Sequence, residues 1–250
     1  MSMPSSSLPE QFYPTSKVFN FRDVGGVETD DGGRLRKGVL LRSDNWMHAT
    51  DDDLAVIRND TKLRHIVDLR GPIERDKFGI FPATDDQTVH QLGLDHIWWQ
   101  YFEDTAADPL VHGQRERFIA QRYASMLESG HHSIRQALEI IARGETTLIH
   151  CMAGKDRTGI VIALALALVG VSEEDISRDY CLSNIGLRRW QSFRNEKYGA
   201  PEVERGLECF PDVIPQTFAL IRERFVSLAT YADVIGFDRG EDLRKALVEY

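Results

Sequence analysis

Over the first hundred residues the apolar positions come in short blocks separated by glycine, and from about residue 115 they recur at helical spacing. Val18–Phe21 and Val39–Arg42 are β-prone runs bounded by Gly25-Gly26, Gly32-Gly33 and Gly38, which predicts two short strands. Thr50-Asp-Asp-Asp53 ahead of Leu54–Ile57 supplies an N-cap and an acidic first turn for a short helix. Arg64–Arg70 follows as a buried strand, and Thr88–Leu94 as another. Residues 97–113, with Trp98-Trp99 and Tyr101-Phe102 beside Glu103-Asp104, have no clean period and read as a loop. Two helices are expected at about 115–128 and 132–142, with Gly130 and Gly144 at their C′ positions.

Thr146–Ile149 is then a strand, 150–157 a compact polar loop, and Thr158–Val169 a helix apolar on nearly every side, hence central and buried. Ser172-Glu-Glu-Asp175 opens a further helix through a capping box, and helical spacing continues around 187–197, 215–232 and 241–248. The βαβ rhythm gives the fold class: α/β, a central and largely parallel sheet flanked by helices, with a helical C-terminal portion from about 172 to 250. Residues 1–13 read as a disordered tail without signal-peptide character, and 14–250 as a single domain.

With 42% apolar and 28% charged side chains in 250 residues, the chain has an ordinary globular composition. Thirty Lys and Arg against 39 Asp and Glu give a net charge of −9, which argues against a protein that grips nucleic acid or anionic membrane with a basic face. The longest apolar run, Ile160–Val169, is half of the roughly 20 residues a membrane span needs, so stable insertion is not expected. Cys151, Cys181 and Cys209 form no CxxC pair, which argues against both a disulfide framework and a thiolate zinc site and fits a reducing, cytoplasmic setting. Cys181 and Cys209 read as buried apolar thiols. His131-His132 lacks further ligands at zinc spacing, so no metal is expected.

The chemistry concentrates in His150-Cys-Met-Ala-Gly-Lys-Asp-Arg-Thr-Gly159. A thiol at a strand end, small residues that let the backbone curl, and an arginine at the first turn of a buried helix describe an oxyanion cup with a nucleophile. Successive N–H groups and the helix N-terminus, with roughly half a positive charge, favour a phosphate there. Arg157 can hold two phosphate oxygens with its planar fork. The same environment favours ionisation of Cys151, since helix N-termini and cations lower thiol pKa values to about 3.5–7.5. Thr158 is placed to donate its hydroxyl to that thiolate, and His150 to brace the loop through a ring nitrogen. Gly154-Lys155 is not a nucleotide-binding loop, because the earlier glycine is missing and Asp156 stands where Ser or Thr would hold magnesium.

The Cys-x5-Arg-Thr-Gly loop resembles the signature of the protein tyrosine phosphatase superfamily. Asn20-Phe-Arg-Asp-Val-Gly-Gly26, Leu41-Arg-Ser-Asp44, Val67-Asp-Leu-Arg70 with Glu74, the 153–159 segment and Asp179-Tyr-Cys-Leu-Ser-Asn184 together resemble the bacterial atypical tyrosine phosphatase family over about residues 14–250. The resemblance implies a cysteinyl-phosphate mechanism with no metal or other cofactor. It also implies a phosphorylated protein as partner, with activity on phosphotyrosine that extends in some members to phosphoserine, phosphothreonine and phosphoinositides. Cys151 is then the nucleophile, Arg157 and the amides of 152–158 (Met152, Ala153, Gly154, Lys155, Asp156 and Thr158) hold the phosphate, and the general acid is either Asp156 or Asp68. Lys155 gives the loop a second cation in a pattern similar to phosphoinositide phosphatases.

Arg22, Asp23, Asp44, Asp68, Arg70 and Glu74 also read as a charged network fixing strand ends. Trp98-Trp99 and the stretch 187–210 are candidate pocket walls or a lid. Two competing functions are a rhodanese-like sulfurtransferase, which also uses a loop cysteine but does not require Arg157-Thr158-Gly159, and a phosphate-binding pseudophosphatase.

Overall fold

The computed structural model describes residues 8–94, 114–199 and 208–250. A five-stranded sheet is built from β1 (Arg22–Asp23), β3 (Leu40–Ser43), β4 (His65–Asp68), β5 (Thr88–Gln91) and β6 (Thr147–His150), in the order β1-β3-β6-β4-β5. β3, β6, β4 and β5 are parallel and β1 joins the edge antiparallel, so the sheet is largely parallel as the βαβ rhythm requires. A separate antiparallel pair ties β2 (Arg34–Leu35) to β7 (Val248–Glu249).

Strand side chains divide by parity between two cores. Leu41, Ile66 and Leu148 face a small cluster with Phe21, Trp46, Ile57 and Phe81. Leu40, Val67 and Ile149 face the main core, made with the helices. Each such side chain, fully buried, contributes about 1.5–3 kcal/mol. The centre of the main core is α5 (Asp156–Leu168), in which ten residues from Arg157 to Leu166 are buried, because it packs between α3 (Gln114–Ser129), α4 (His131–Ile141), α6 (Glu173–Tyr198), α8 (Leu228–Val234) and α9 (Gly240–Leu247).

Local chemistry explains most element boundaries. Thr50 caps α1 (Asp51–Asp60) by accepting from the Asp53 N–H at 3.2 Å, while Asp53 accepts from the Thr50 N–H at 3.0 Å. Ser172 caps α6 by accepting from the Asp175 N–H at 3.1 Å. Several expectations need correction. The run 18–21 is not a strand, because the N–H groups of Phe19 and Asn20 turn to the Asp44 carboxylate at 2.9–3.2 Å instead of joining the sheet. The helix opened by Ser172 and the helical stretch 187–197 form one element, which runs unbroken to Tyr198 and ends at Gly199 in the left-handed region. The helical stretch 215–232 is in fact α7 (Val213–Phe225) and α8, separated at Val226, whose φ of 68° is a strained position for a β-branched residue.

Gly144 takes positive φ as a C′ residue does, but Gly130 does not. Gly130 is needed for closeness: a Cβ there would lie 2.7 Å from the Met126 carbonyl and 2.1 Å from Leu94 Cδ1. The chain is packed ahead of residue 14 as well, since Phe12 is buried and bridges to Arg22, and Tyr13 stacks on Phe21 at 4.4 Å. Cys209 is buried and Cys181 half-buried. The loop expected at 97–113, with Trp98-Trp99, lies outside the described residues, as do 200–207 of the stretch 187–210. Among the described residues no helix is long and apolar enough to cross a membrane.

Candidate active site

The parallel register brings Ser43, His150 and Asp68 level with one another at the C-terminal ends of β3, β6 and β4. In open α/β sheets this edge is where ligands bind. The segment 151–155 leaves β6 there and enters the N-terminus of α5.

The loop is held from outside by its carbonyl groups. Met152 O accepts from Asn45 N at 3.0 Å and from Asn45 Nδ2 at 2.8 Å. Ala153 O and Gly154 O each accept from Asn20 Nδ2 at 3.1 Å, and Gly154 O also accepts from Arg42 Nη2 at 2.7 Å. In a trans peptide the N–H points opposite to the C=O. Pinning those three carbonyls therefore aims the N–H groups of Ala153, Gly154 and Lys155 at the other side of the loop, an array that favours an anion. Gly154 is required twice over: its φ is +64°, and a Cβ would stand 2.4 Å from the Ser43 carbonyl oxygen.

Behind the loop lies a buried ionic triad. Asp179 of α6 accepts from Arg22 Nε at 3.0 Å and from Arg42 Nη1, while Ser183 takes further guanidinium donors from both at 3.2 and 3.3 Å. Arg22 Nη1 also donates to Asn20 Oδ1, so the network fixes the amide that grips the loop. Two arginines side by side against one carboxylate are tolerable because backbone and hydroxyl oxygens take further donors from both, leaving Arg42 Nε without a hydrogen bond among the described residues. Of the charged network expected at strand ends, Arg22 belongs to this triad, Asp44 anchors Phe19 and Asn20, and Asp23 anchors the turns by accepting from Gly25 N and Gly38 N at 2.8 and 2.6 Å.

Arg157 is nearly buried and pairs with Glu74, Nη1 and Nη2 donating to the two carboxylate oxygens at 2.6 and 2.8 Å. Glu74 sits in the first turn of α2 (Pro72–Phe78), where it also accepts from the Gly71 N–H at 2.8 Å. This end-on pairing leaves the side-on edge of the guanidinium, Nε–H with the second Nη2–H, for two oxygens of a tetrahedral anion. Burial works against the charge of Arg157, but Glu74, Cys151 and Asp156 together push its pKa up, so the cation is permanent.

The two candidate acids occupy different surroundings. Asp68 has no exposed surface, and its carboxylate accepts from Arg70 Nε and Nη2 at 2.9 and 2.7 Å. Burial raises its pKa, but Arg70 and His150 outweigh that and hold it below the ordinary carboxylate range. Asp156 lines a cleft of about 390 Å³ together with Met152, Ala153 and Lys155. Its Oδ1 accepts from the Tyr123 hydroxyl at 2.6 Å, and Lys155 Nζ lies 3.4 Å from the same oxygen. Lys155 is itself buried.

The supporting roles differ from expectation. Thr158 Oγ1 is buried and makes no hydrogen bond among the described residues, so the expected donation to the Cys151 sulfur is not made. His150 does touch the loop, Nδ1 to Cys151 O at 3.4 Å, but burial pushes its pKa down to about 4, so it braces as a neutral ring. Cys151 is only 2% exposed and forms no part of the cleft wall; the same is true of Arg157.

Above the loop the cleft is walled by Met47, His48, Phe78, Leu187, Trp190 and Tyr198. The long helix α6 thus supplies part of the wall anticipated from the 187–210 stretch. At its rim Lys17 and Lys197 lie 4.5 and 5.2 Å from the Phe193 ring centre, and Arg194 lies 4.7 Å from that of Trp190. The sequence reading missed the Glu74–Arg157 pairing, the Tyr123 hydroxyl and the Arg22–Asp179–Arg42 triad. Glu74, Arg22 and Asp179 were visible as motif residues without partners, whereas Tyr123 gave no signal beyond its place on an apolar helix face.

Residues 13–249 match the model of the tyrosine phosphatase family. A protein of Mycobacterium tuberculosis named triple specificity protein phosphatase PtpB is 29% identical, over 92% of this chain and 94% of its own length. A protein named as a tyrosine-protein phosphatase, from Cupriavidus necator, is 31% identical over 67% of this chain; the match spans 61% of that protein, less than two thirds. A tyrosine-protein phosphatase of Nostoc commune is 33% identical over 56% of this chain and 47% of its own length. The match covers nearly all of the described fold and the whole loop from His150 to Gly159, and the chain belongs to the tyrosine phosphatase family.

Proposed function

We propose that the protein hydrolyses phosphate monoesters, phosphotyrosine foremost, through a phosphocysteine on Cys151. The observation that carries this reading is the loop itself: a thiol at the strand end, three amides aimed by pinned carbonyls, and an arginine whose side-on edge is left open by Glu74. In the first step Cys151 sulfur bonds to phosphorus as the ester P–O bond breaks, and the leaving oxygen takes a proton from an acid. In the second, water adds to phosphorus, the S–P bond breaks, and the water's proton goes to the same group as base. Arg157 and the loop amides carry the equatorial oxygens through both.

Asp156 suits the acid role because it lines the cleft, while Asp68 is enclosed and committed to Arg70. Protonating a leaving group of pKa near 10 is typically worth 10²–10⁴-fold. Apolar and aromatic walls fit the ring of a phosphotyrosine, and Met152, Ala153, Lys155 and Asp156 fit its phosphate. Buried Lys155 on the cleft floor and Arg194 on its wall favour a second class, phosphoinositides, whose several phosphates need more than one cation. No metal or cofactor enters this scheme.

The test is phosphate release by wild type and C151S from a phosphotyrosine peptide and a phosphoinositide, with chelator present. Chelator-resistant turnover that C151S abolishes supports the thiolate mechanism, and the ratio of rates ranks the two substrates. Tight phosphopeptide binding without release would instead mark a phosphate-binding pseudophosphatase, and thiosulfate-dependent conversion of cyanide a sulfurtransferase.

A further inference from the structure

The polar groups behind Asp156 form a chain that the proposed cycle does not use. Tyr123 of α3 is fully buried, and its hydroxyl donates to Asp156 Oδ1 at 2.6 Å. Tyr180 of α6 is equally buried, and its hydroxyl lies 2.9 Å from that of Tyr123. Because Tyr123 spends its proton on the carboxylate, its oxygen can only accept from Tyr180. The chain therefore has one polarity, from the Tyr180 phenol to the Tyr123 phenol to the carboxylate.

Lys155 Nζ approaches the same Oδ1, at 3.4 Å. Oδ2 makes no hydrogen bond among the described residues, and Asp156 lines the cleft. We propose that Tyr123, backed by Tyr180, is a positioning residue that keeps Oδ1 as an acceptor and so places the transferable proton of Asp156 on Oδ2, facing the leaving group. This rests on the reading of Asp156 as the acid. When the ester P–O bond breaks, its electron pair stays on the leaving oxygen, which takes the proton from Oδ2, and Oδ1 keeps its bond from Tyr123 throughout. In the second step the proton of the attacking water returns to Oδ2. Neither tyrosine changes protonation state, in keeping with burial and the Asp156 charge, which raise the pKa of Tyr123 well above its ordinary value.

The groups that face Asp156 are Lys155 and Arg157 from its own segment, Tyr123 from α3, Tyr180 from α6, and Cys209. Removing the Tyr123 donor leaves the two cations in place and withdraws one hydrogen bond from the carboxylate. The carboxylate is thereby less stabilised, and the pH above which the acid is spent moves up.

The experiment compares wild type, Y123F, Y180F and D156N on two aryl phosphates, phenyl phosphate and dinitrophenyl phosphate, whose leaving groups do and do not need a proton. Y123F is expected to lower kcat/KM on phenyl phosphate about 10- to 30-fold and on dinitrophenyl phosphate about two- to threefold, with the alkaline limb displaced to higher pH. Y180F should show the same pattern with a smaller amplitude. Equal losses on both substrates, or an unmoved alkaline limb, would overturn the proposal and leave Tyr123 a packing residue. D156N separates the two readings. If it discriminates between the substrates and Y123F does not, positioning fails while the acid stands; if D156N itself does not discriminate, the acid assignment fails. Should Y123F not fold, Y180F carries the same decision through the pH profile.

Discussion

Two carboxylate–guanidinium pairs, whose carboxylates Asp68 and Glu74 follow closely in the chain at the end of β4 and in α2, have nearly the same bond lengths and opposite accessibility. Asp68 and Arg70 meet at 2.7 Å with side chains 0% and 2% exposed. Glu74 and Arg157 meet at 2.6 Å, but Glu74 is 28% exposed and the guanidinium keeps an edge free of its partner. The first pair has spent its donors inward, with Arg70 Nη2 also giving a bond to Gly79 O at 2.8 Å, so it can only hold β4 to the turn after α2. In the second, one carboxylate orients a cation and leaves it able to take an anion. What separates structure from chemistry here is which edge of the guanidinium is left over.

Breaking the open pair at its cation should have the largest effect. R157M is expected to lower kcat on an aryl phosphate 10³-fold or more while melting close to wild type; a Tm drop as large as that of a core variant would mean that Arg157 is mainly structural. Breaking the closed pair reverses the pattern. D68A leaves Arg70 buried without its carboxylate and should cost about 3–5 kcal/mol in a denaturant titration, with the surviving folded fraction turning over near the wild-type rate. A much larger loss of rate than of stability would return Asp68 to the reaction.

His150 stands between Asp68 and the loop, its Nε2 3.8 Å from Asp68 Oδ2, and gives a pH signature. Its folded pKa, about 4, is below the ordinary 6.5, so the unfolded chain binds the proton more readily. Its contribution is present above about pH 6.5 and is lost as pH falls towards 4, to a total of about 3 kcal/mol. Asp44, raised to about 6 by burial, tilts the opposite way between about pH 4 and 6. The His150 part is therefore read as the difference between wild type and H150N in stability against pH; parallel curves would show that the ring is not buried neutral. The smallest expected effect is that of E74Q, which keeps the shape and loses the charge: about a tenfold fall in kcat/KM with stability changed by about 1 kcal/mol or less. An equal loss from R157M and E74Q would mean that Glu74 does more than orient.

Features set by neighbours in the chain were legible without coordinates. Thr50 and Asp53, Ser172 and Asp175, and the all-apolar face of 158–169 declare two helix starts and a central helix, because capping and burial act over a few residues. The loop from His150 to Gly159 was legible for the same reason. What the sequence could not show is what distance in the chain conceals: Arg157 finds Glu74 83 residues away, and Arg22 finds Asp179 157 residues away. Charged residues at strand ends announce that they need partners and not which ones. The run 18–21 shows the same limit in the backbone, where a side chain at Asp44 takes the N–H groups that a strand would have used.

The triad of Arg22, Arg42 and Asp179 also sets an order on the making of the protein. Both guanidiniums are synthesised well before the carboxylate, which lies 137 residues beyond Arg42. At about 5–20 residues per second, the ribosome takes roughly 7–30 s to supply it. Through that interval, burying two like charges side by side is strongly unfavourable, so β1 and β3 are kept from closing over each other early and the loop carbonyl that Arg42 will hold stays unanchored. The anchorage of the 151–155 loop is thus completed only after the long helix that walls the cleft has itself been made.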